Sequence, residues 1–182
     1  MSQQRLQDAR DGHALDVLYV KDFLQPNEAT ALFKALTAAK ADGGEGLGVL
    51  GPRGGLHRSF CVGLRDGVCY DLRPWHSSGT CAALYDYGVK IARHLGLDRD
   101  FDYCVVQLFQ NKPGFKQGMQ PHVDSEQADH SPIVGLSLFE DPAASRPLDV
   151  VSGERLKAHR VAHRLDLAHG SLYALLPPTN SW

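Results

Sequence analysis

Apolar and polar residues alternate with a period of two in several short runs of the chain, and with a helical period in two longer ones. The first run, DVLYVKDFL from Asp16, predicts a strand. Pro26-Asn27 then opens a helix, with Asn27 as N-cap and Leu32, Phe33 and Leu36 as its apolar stripe. Residues 41–56, ADGGEGLGVLGPRGGL, carry too many glycines for regular structure and predict a long surface loop. SFCVGL and CYDLRPW are strand candidates around a turn at Arg65-Asp66-Gly67. Ser78 or Thr80 is placed to cap a second helix bearing Leu84, Ile91 and Leu95, and Gly96 stands where that helix should stop. From there on strand patterns dominate: YCVVQLF, IVGLSLF, PLDVV, HRVAHRLDL and SLYALL, separated by Pro, Gly, Asp and Ser. Helices early and strands late, without regular βαβ alternation, predict an α+β domain with a mainly antiparallel sheet or barrel.

With 182 residues, the chain is expected to form one domain, preceded by a polar tail over residues 1–15. Its formal net charge of -2 gives no overall attraction to nucleic acid or to an anionic membrane, so contact with either would need a local basic patch. Cys61, Cys69, Cys81 and Cys104 are unevenly spaced and include no C-x-x-C pair, which fits reduced thiols better than a disulfide framework or a zinc knuckle. No apolar run reaches membrane-spanning length and the start lacks an apolar signal segment, so the expectation is a soluble, intracellular protein.

The candidate chemistry lies in PHVDSE. Residues i and i+2 of a strand point to one side, so His122 and Asp124 would present an imidazole nitrogen and a carboxylate oxygen to one cation. Two histidines and one carboxylate on one side of Fe(II) leave positions open for a co-substrate and dioxygen. A His-x-Asp spacing alone also arises by chance in a chain with nine histidines, so its context matters.

That context is ordered. FDYCVVQLFQN leads to PHVDSE, followed by SPIVGLSLF, ASRPLDVV and LAHGSLYALLPPTN. From about Asp16 onward the chain resembles the AlkB-like Fe(II)/2-oxoglutarate dioxygenases, and within them most closely the nucleic-acid demethylases. The resemblance implies a double-stranded β-helix, a jelly-roll of two facing sheets with the N-terminal helices packed outside. It also implies oxidative dealkylation of a nucleobase in DNA or RNA, with Fe(II) held by His122 and Asp124 and 2-oxoglutarate as co-substrate. Glu126 falls where the family keeps a carboxylate that contacts the target base; the alternative is a solvated loop acid.

Two departures qualify the match. Gln107 and Phe109 occupy the places of an Asn-x-Tyr pair that hydrogen-bonds 2-oxoglutarate, and a phenylalanine has no hydroxyl to offer. The family's distal iron histidine and co-substrate arginine would come after a segment like PPTNSW, which here ends the chain at Trp182. The resemblance therefore implies that the C-terminal end of the domain is missing. A degenerate domain that binds nucleic acid or protein without turnover is the alternative. Among internal histidines, His169 matches a non-ligand position and is expected to bond at a turn. His159 and His163 are four apart in a predicted strand, where that offset separates side chains by roughly 13 Å. Arg155, Lys157, Arg160 and Arg164 concentrate positive charge that could meet phosphates or simply be solvated.

Overall fold

The computed structural model describes residues 3–7, 14–38, 58–63, 79–109, 118, 131–152 and 160–176. Among them the chain is mixed α+β, with two helices and antiparallel strand pairing throughout. In chain order the elements are β1 (Gln3–Gln7), β2 (Ala14–Val20), α1 (Pro26–Ala38), β3 (Arg58–Gly63), α2 (Gly79–Leu95) and β4 (Tyr103–Leu108). The remainder is β5 (Ile133–Ser137), β6 (Ser145–Ser152), β7 (Arg160–Ala168) and β8 (Ser171–Leu175). The chain divides into two compact units, one comprising Met1–Lys34 with Met119–Trp182, the other Ala35–Gly118.

In the first unit β1, β2, β8 and β5 pair in that order into a four-stranded sheet, and β6 pairs with β7. The sequence DVLYV has no polar residue between Val17 and Val20, so both faces of β2 must be covered. They are: Val17, Leu18, Tyr19 and Val20 are all buried. On one face Val17 and Tyr19 join Ala162, Leu165 and Leu167 of β7 in a core cluster, against which Leu148, Val150, Tyr173 and Leu175 also pack. The β6–β7 pair therefore lies over the β2–β8 part of the larger sheet as a second layer. On the opposite face, register places Leu18 beside Ala174 and Val20 beside Leu172, all four buried. Each such aliphatic side chain taken from water stabilises the fold by about 1.5–3 kcal/mol before the entropy of ordering it is counted.

One hydroxyl joins the layers. Tyr19 Oη donates to the carbonyl of Asp166 at 3.0 Å and accepts from the amide of Ala168 at 3.1 Å, so a phenol rooted in β2 satisfies two backbone groups of β7. From Ala168 the chain turns through His169 and Gly170 directly into β8, crossing from one layer to the other in two residues. Gly170 has φ of 75° and its absent Cβ would meet the Leu24 carbonyl at 2.9 Å and the Ala29 Cβ at 3.2 Å. The amide of Leu24 donates to the Gly170 carbonyl and that of Gly170 to the Ser137 carbonyl, fastening the turn to its neighbours.

α1 begins two residues earlier than its polar signal suggests. The carbonyl of Gln25 accepts from the Ala29 amide at 2.9 Å, so Gln25 occupies the cap and Pro26 the first helical position, where its missing N–H costs nothing. Asn27 lies inside the first turn, and its side-chain oxygen accepts from the Glu28 amide at 2.9 Å, still satisfying one of the unpaired donors there. Ala29 and Leu32 are buried, while Phe33 and Leu36 are half-buried.

The polar N-terminal stretch contributes β1, paired with β2 from Gln3 opposite Val20 to Gln7 opposite Ala14, with a register shift between Arg5 and Gln7. Its backbone bonds need no apolar side chain, which is why alternation does not reveal it.

In the second unit β3 and β4 form an antiparallel pair, from Arg58 opposite Leu108 to Gly63 opposite Tyr103. α2 buries Leu84, Gly88, Ile91 and Ala92. It ends as its sequence predicts: Gly96 has φ of 66°, its amide donates to the Arg93 carbonyl, and the Leu97 amide donates to the Ala92 carbonyl, the two bonds of a Schellman stop. Thr80 lies within the helix rather than capping it. Ser78, the glycine-rich residues 41–56 and the CYDLRPW segment lie outside the described residues.

Candidate functional site

The His-x-Asp segment belongs between β4 and β5, and of residues 109–132 only Phe109, Gly118, Ser131 and Pro132 are described. His122, Asp124 and Glu126 lie outside the described residues, and so do Pro177–Trp182 after β8. Among the described residues no three or more His, Cys, Asp and Glu side chains gather where a metal ion could be held.

Gln107 lies on β4 opposite Ser59 and is exposed, as is Val105 two residues before it, whereas Cys104, Val106 and Leu108 are half-buried. Strand alternation predicts that Phe109 shares the Gln107 face. Instead Phe109 is the first residue beyond the strand, where period two no longer fixes its side, and it is half-buried. It therefore does not repeat the exposure of Gln107.

His169 is already occupied. The amide of Phe139 donates to its Nδ1 at 2.9 Å, which leaves the ring proton on Nε2, and Nε2 lies 3.2 Å from Thr30 Oγ1. The ring thus links the end of β5, the β7–β8 turn and α1, the turn role its sequence position suggests. His163 is half-buried on β7 opposite Val150, and His159 lies outside the described residues.

The basic run on β7 is partly neutralised. Arg164 makes a two-pronged bond to Asp149, its cross-strand partner, with Nε 2.5 Å from Oδ1 and Nη2 2.7 Å from Oδ2. The hydrogen-bonded guanidinium holds the Asp149 carboxyl below its ordinary pKa, overcoming a smaller opposing effect of burial, and the same contact raises that of Arg164. Arg164 thus has a carboxylate partner on its own surface. Arg155 and Lys157 lie outside the described residues.

Arg146 behaves differently. Along β6 the side chains of Pro147 and Asp149 are exposed while Arg146, Leu148 and Val150 are half-buried, and Leu148 and Val150 pack on the core cluster. Arg146 is thus an arginine in an apolar phase, on the inward side of the β6–β7 layer, opposite the buried Leu167. Burial lowers its pKa from the usual arginine value, yet a guanidinium remains charged in a protein. The signal was present in SRPLDVV, where Arg146 takes the place an aliphatic residue would hold.

Polar groups also occur on the sheet face that this layer covers. Ser171 shares its side of β8 with Tyr173 and Leu175, and Ser137 of β5 is its register partner. Ser171 is 0% exposed and its Oγ has no hydrogen-bond partner. Buried hydroxyls are normally satisfied, so an orphan here is an exception that asks for a cause.

No helix among the described residues is long and apolar enough to cross a membrane. No protein-family model matches the chain, and no curated protein matches it in sequence.

Proposed function

We propose that the chain is an AlkB-like Fe(II)/2-oxoglutarate-dependent dioxygenase that dealkylates nucleobases of DNA or RNA, built on a double-stranded β-helix. The observation that carries this reading is the order of the blocks: a strand ending in VVQLF, then PHVDSE, then the strands of SPIVGLSLF, SRPLDVV, HRLDL and SLYALL. In support, β4 through β8 occur in that order, and the β6–β7 layer covers a sheet containing β5 and β8, an arrangement that two facing sheets require.

The donor set suits the metal, since an imidazole and a carboxylate are two of the three protein groups of a facial iron site. His122 and Asp124 would hold it. When bound, iron with 2-oxoglutarate and dioxygen supplies the oxidant that hydroxylates an alkyl carbon, after which the alkyl group leaves as an aldehyde. Glu126 would select the base, which must leave the stack if it lies in a duplex. The co-substrate roles of Gln107 and Phe109 rest on the resemblance alone.

A second reading, an AlkB-like module that binds nucleic acid or protein without turnover, is favoured by Phe109, which lacks the hydroxyl that would bond the co-substrate. Succinate release from 2-oxoglutarate in the presence of Fe(II) and a methylated oligonucleotide separates the two. Release that disappears in His122→Ala supports the enzyme, and oligonucleotide binding with no release supports the module.

A further inference from the structure

We propose that His169 is a proton-operated latch at the exit of β5, closed while its imidazole is neutral and released in mildly acidic solution. The latch is independent of the dioxygenase reading, because His169 is not among the proposed iron ligands. In the β5–β8 pairing the register runs from Ile133 opposite Leu175 to Ser137 opposite Ser171. Two residues further along, the same register would set Phe139 opposite His169, but there the chain is already turning from β7 into β8 through Gly170, whose φ is 75°. The Phe139 amide instead takes the side-chain Nδ1 of His169 as its acceptor, at 2.9 Å, in place of a backbone carbonyl. One rung before it, the Gly170 amide donates to the Ser137 carbonyl at 2.8 Å. The imidazole thus ends the ladder between β8 and β5, and β5 is an outermost strand of its sheet, paired with β8 alone among the described residues.

The two ring nitrogens respond differently to a proton. An imidazole nitrogen accepts only while it carries no hydrogen, and the imidazolium has two donors and no acceptor. Protonation therefore sets N–H against N–H at the Phe139 contact, whereas Nε2 keeps its hydrogen and its donation to Thr30 Oγ1, 3.2 Å away. The ring stays with α1 while the end of β5 loses its hold, so the release is directional. The segment released leads towards β6 through a turn in which the Ala144 amide donates to the Asp141 carbonyl and the Ala143 amide to Asp141 Oδ1. The charged groups on the surrounding elements are Asp22 before α1, Glu28 and Lys34 on it, Glu140 and Asp141 after β5, and Asp166 of β7; all but Glu28 are exposed. The acids favour the charged ring and Lys34 opposes it, each screened by solvent where it is exposed. Tyr19, the other titratable neighbour, accepts from the Ala168 amide through its hydroxyl. Histidine changes charge between about pH 5 and 8, so the Phe139 contact is complete above that window and is lost as pH falls through it.

The test uses the full chain and follows two signals by nuclear magnetic resonance from about pH 8 down to about pH 5. One is the nitrogen shifts of the His169 ring; the other is exchange of the Phe139 amide, corrected for the intrinsic pH dependence of exchange. At the upper end the ring should carry its hydrogen on Nε2. Protection of the Phe139 amide should then fall about tenfold or more with the same midpoint as the ring's titration, the effect of leaving a donor without its acceptor. The Leu172 amide, inside the sheet, should show no step at that midpoint. His169→Asn keeps an acceptor near the place of Nδ1 without a titrating ring, so Phe139 should stay protected and lose its step. If His169→Asn does not fold, the unsubstituted chain still decides. A neutral ring with its hydrogen on Nδ1, Phe139 protection that passes unchanged through the ring's titration, or a step that survives in His169→Asn overturns the latch. An equal loss at Leu172 would mean that the whole sheet opens, and overturns it as well.

Discussion

The ring of Tyr173 on β8 lies directly across Gly135 on β5, its register partner, so closely that a methyl group on Gly135 would overlap the ring carbons Cε1 and Cζ. The aromatic ring fills the space that a cross-strand side chain would otherwise occupy. Gly135→Ala forces the ring away from a sheet whose other neighbours are packed. Relieving such an overlap costs about 1–3 kcal/mol, more than the roughly 0.4–1 kcal/mol an alanine gains by restricting the unfolded chain. Urea unfolding of the variant should show a lower midpoint. An equal or higher midpoint would mean that the ring has another place to go.

Tyr19→Phe isolates the inter-layer hydroxyl. The apolar ring stays in the core cluster, but the Asp166 carbonyl and the Ala168 amide both lose their partner. A loss of about 0.5–1.5 kcal/mol is expected, the net worth of a hydrogen bond at a part-buried site. The amide of Ala168 should also exchange faster with deuterium than in the unsubstituted protein. Unaltered exchange would show that the phenol does not protect it.

Two glycines with similar left-handed backbones should respond differently to alanine. At Gly96 nothing lies within 4 Å of the added Cβ, so Gly96→Ala carries only the conformational penalty, about 1–2 kcal/mol. At Gly170 the same penalty is joined by crowding against the Leu24 carbonyl and Ala29. Thermal unfolding should therefore rank Gly170→Ala below Gly96→Ala. The opposite order would show that the turn relaxes more readily than the helix end.

How far the sequence could be read is itself explained by which signals act locally. The strands β4 to β8 were legible because alternation and turn residues are local signals, and the stop at Gly96 because a Schellman turn needs a left-handed residue. The cap signal points to Asn27, two residues past the actual cap at Gln25, since an asparagine side chain is the louder signal and Pro26 the correct one. β1 was hidden because an edge strand can pair through its backbone while carrying glutamines. His169 forms the hydrogen bond at a turn that its sequence position suggests. The inward placement of Arg146 needed the phase of its neighbours, since which face of a strand is buried is decided by the layer packed against it. The proposed jelly-roll and iron site depend on relations among distant segments, which local pattern does not encode.

Acid should erase the contribution of the Asp149–Arg164 pair. Because the guanidinium lowers the folded-state pKa of Asp149, its stabilising effect is complete above the unfolded carboxylate range, about pH 4, and is lost as pH falls through the lower folded value. Both side chains are solvent-accessible, so the effect is small and screened by salt. Asp149→Asn should melt slightly below the unsubstituted protein at neutral pH, and the two curves should converge on acidification or in high salt. A difference that persists in acid would point to packing rather than charge.

Histidine substitutions offer the sharpest separation of structure from chemistry. Both nitrogens of His169 are engaged, one by the Phe139 amide and the other by the Thr30 hydroxyl, so a metal could take either only by breaking a bond that ties the turn to its neighbours. His169→Ala should therefore lower stability and speed exchange of the Phe139 amide while leaving Mn(II) affinity unchanged. On the proposed iron site, His122→Ala should instead remove weak Mn(II) binding, since it takes away one of the two protein donors. Metal binding that survives His122→Ala and fails in His169→Ala would reverse the assignment and leave the His-x-Asp segment without a chemical role.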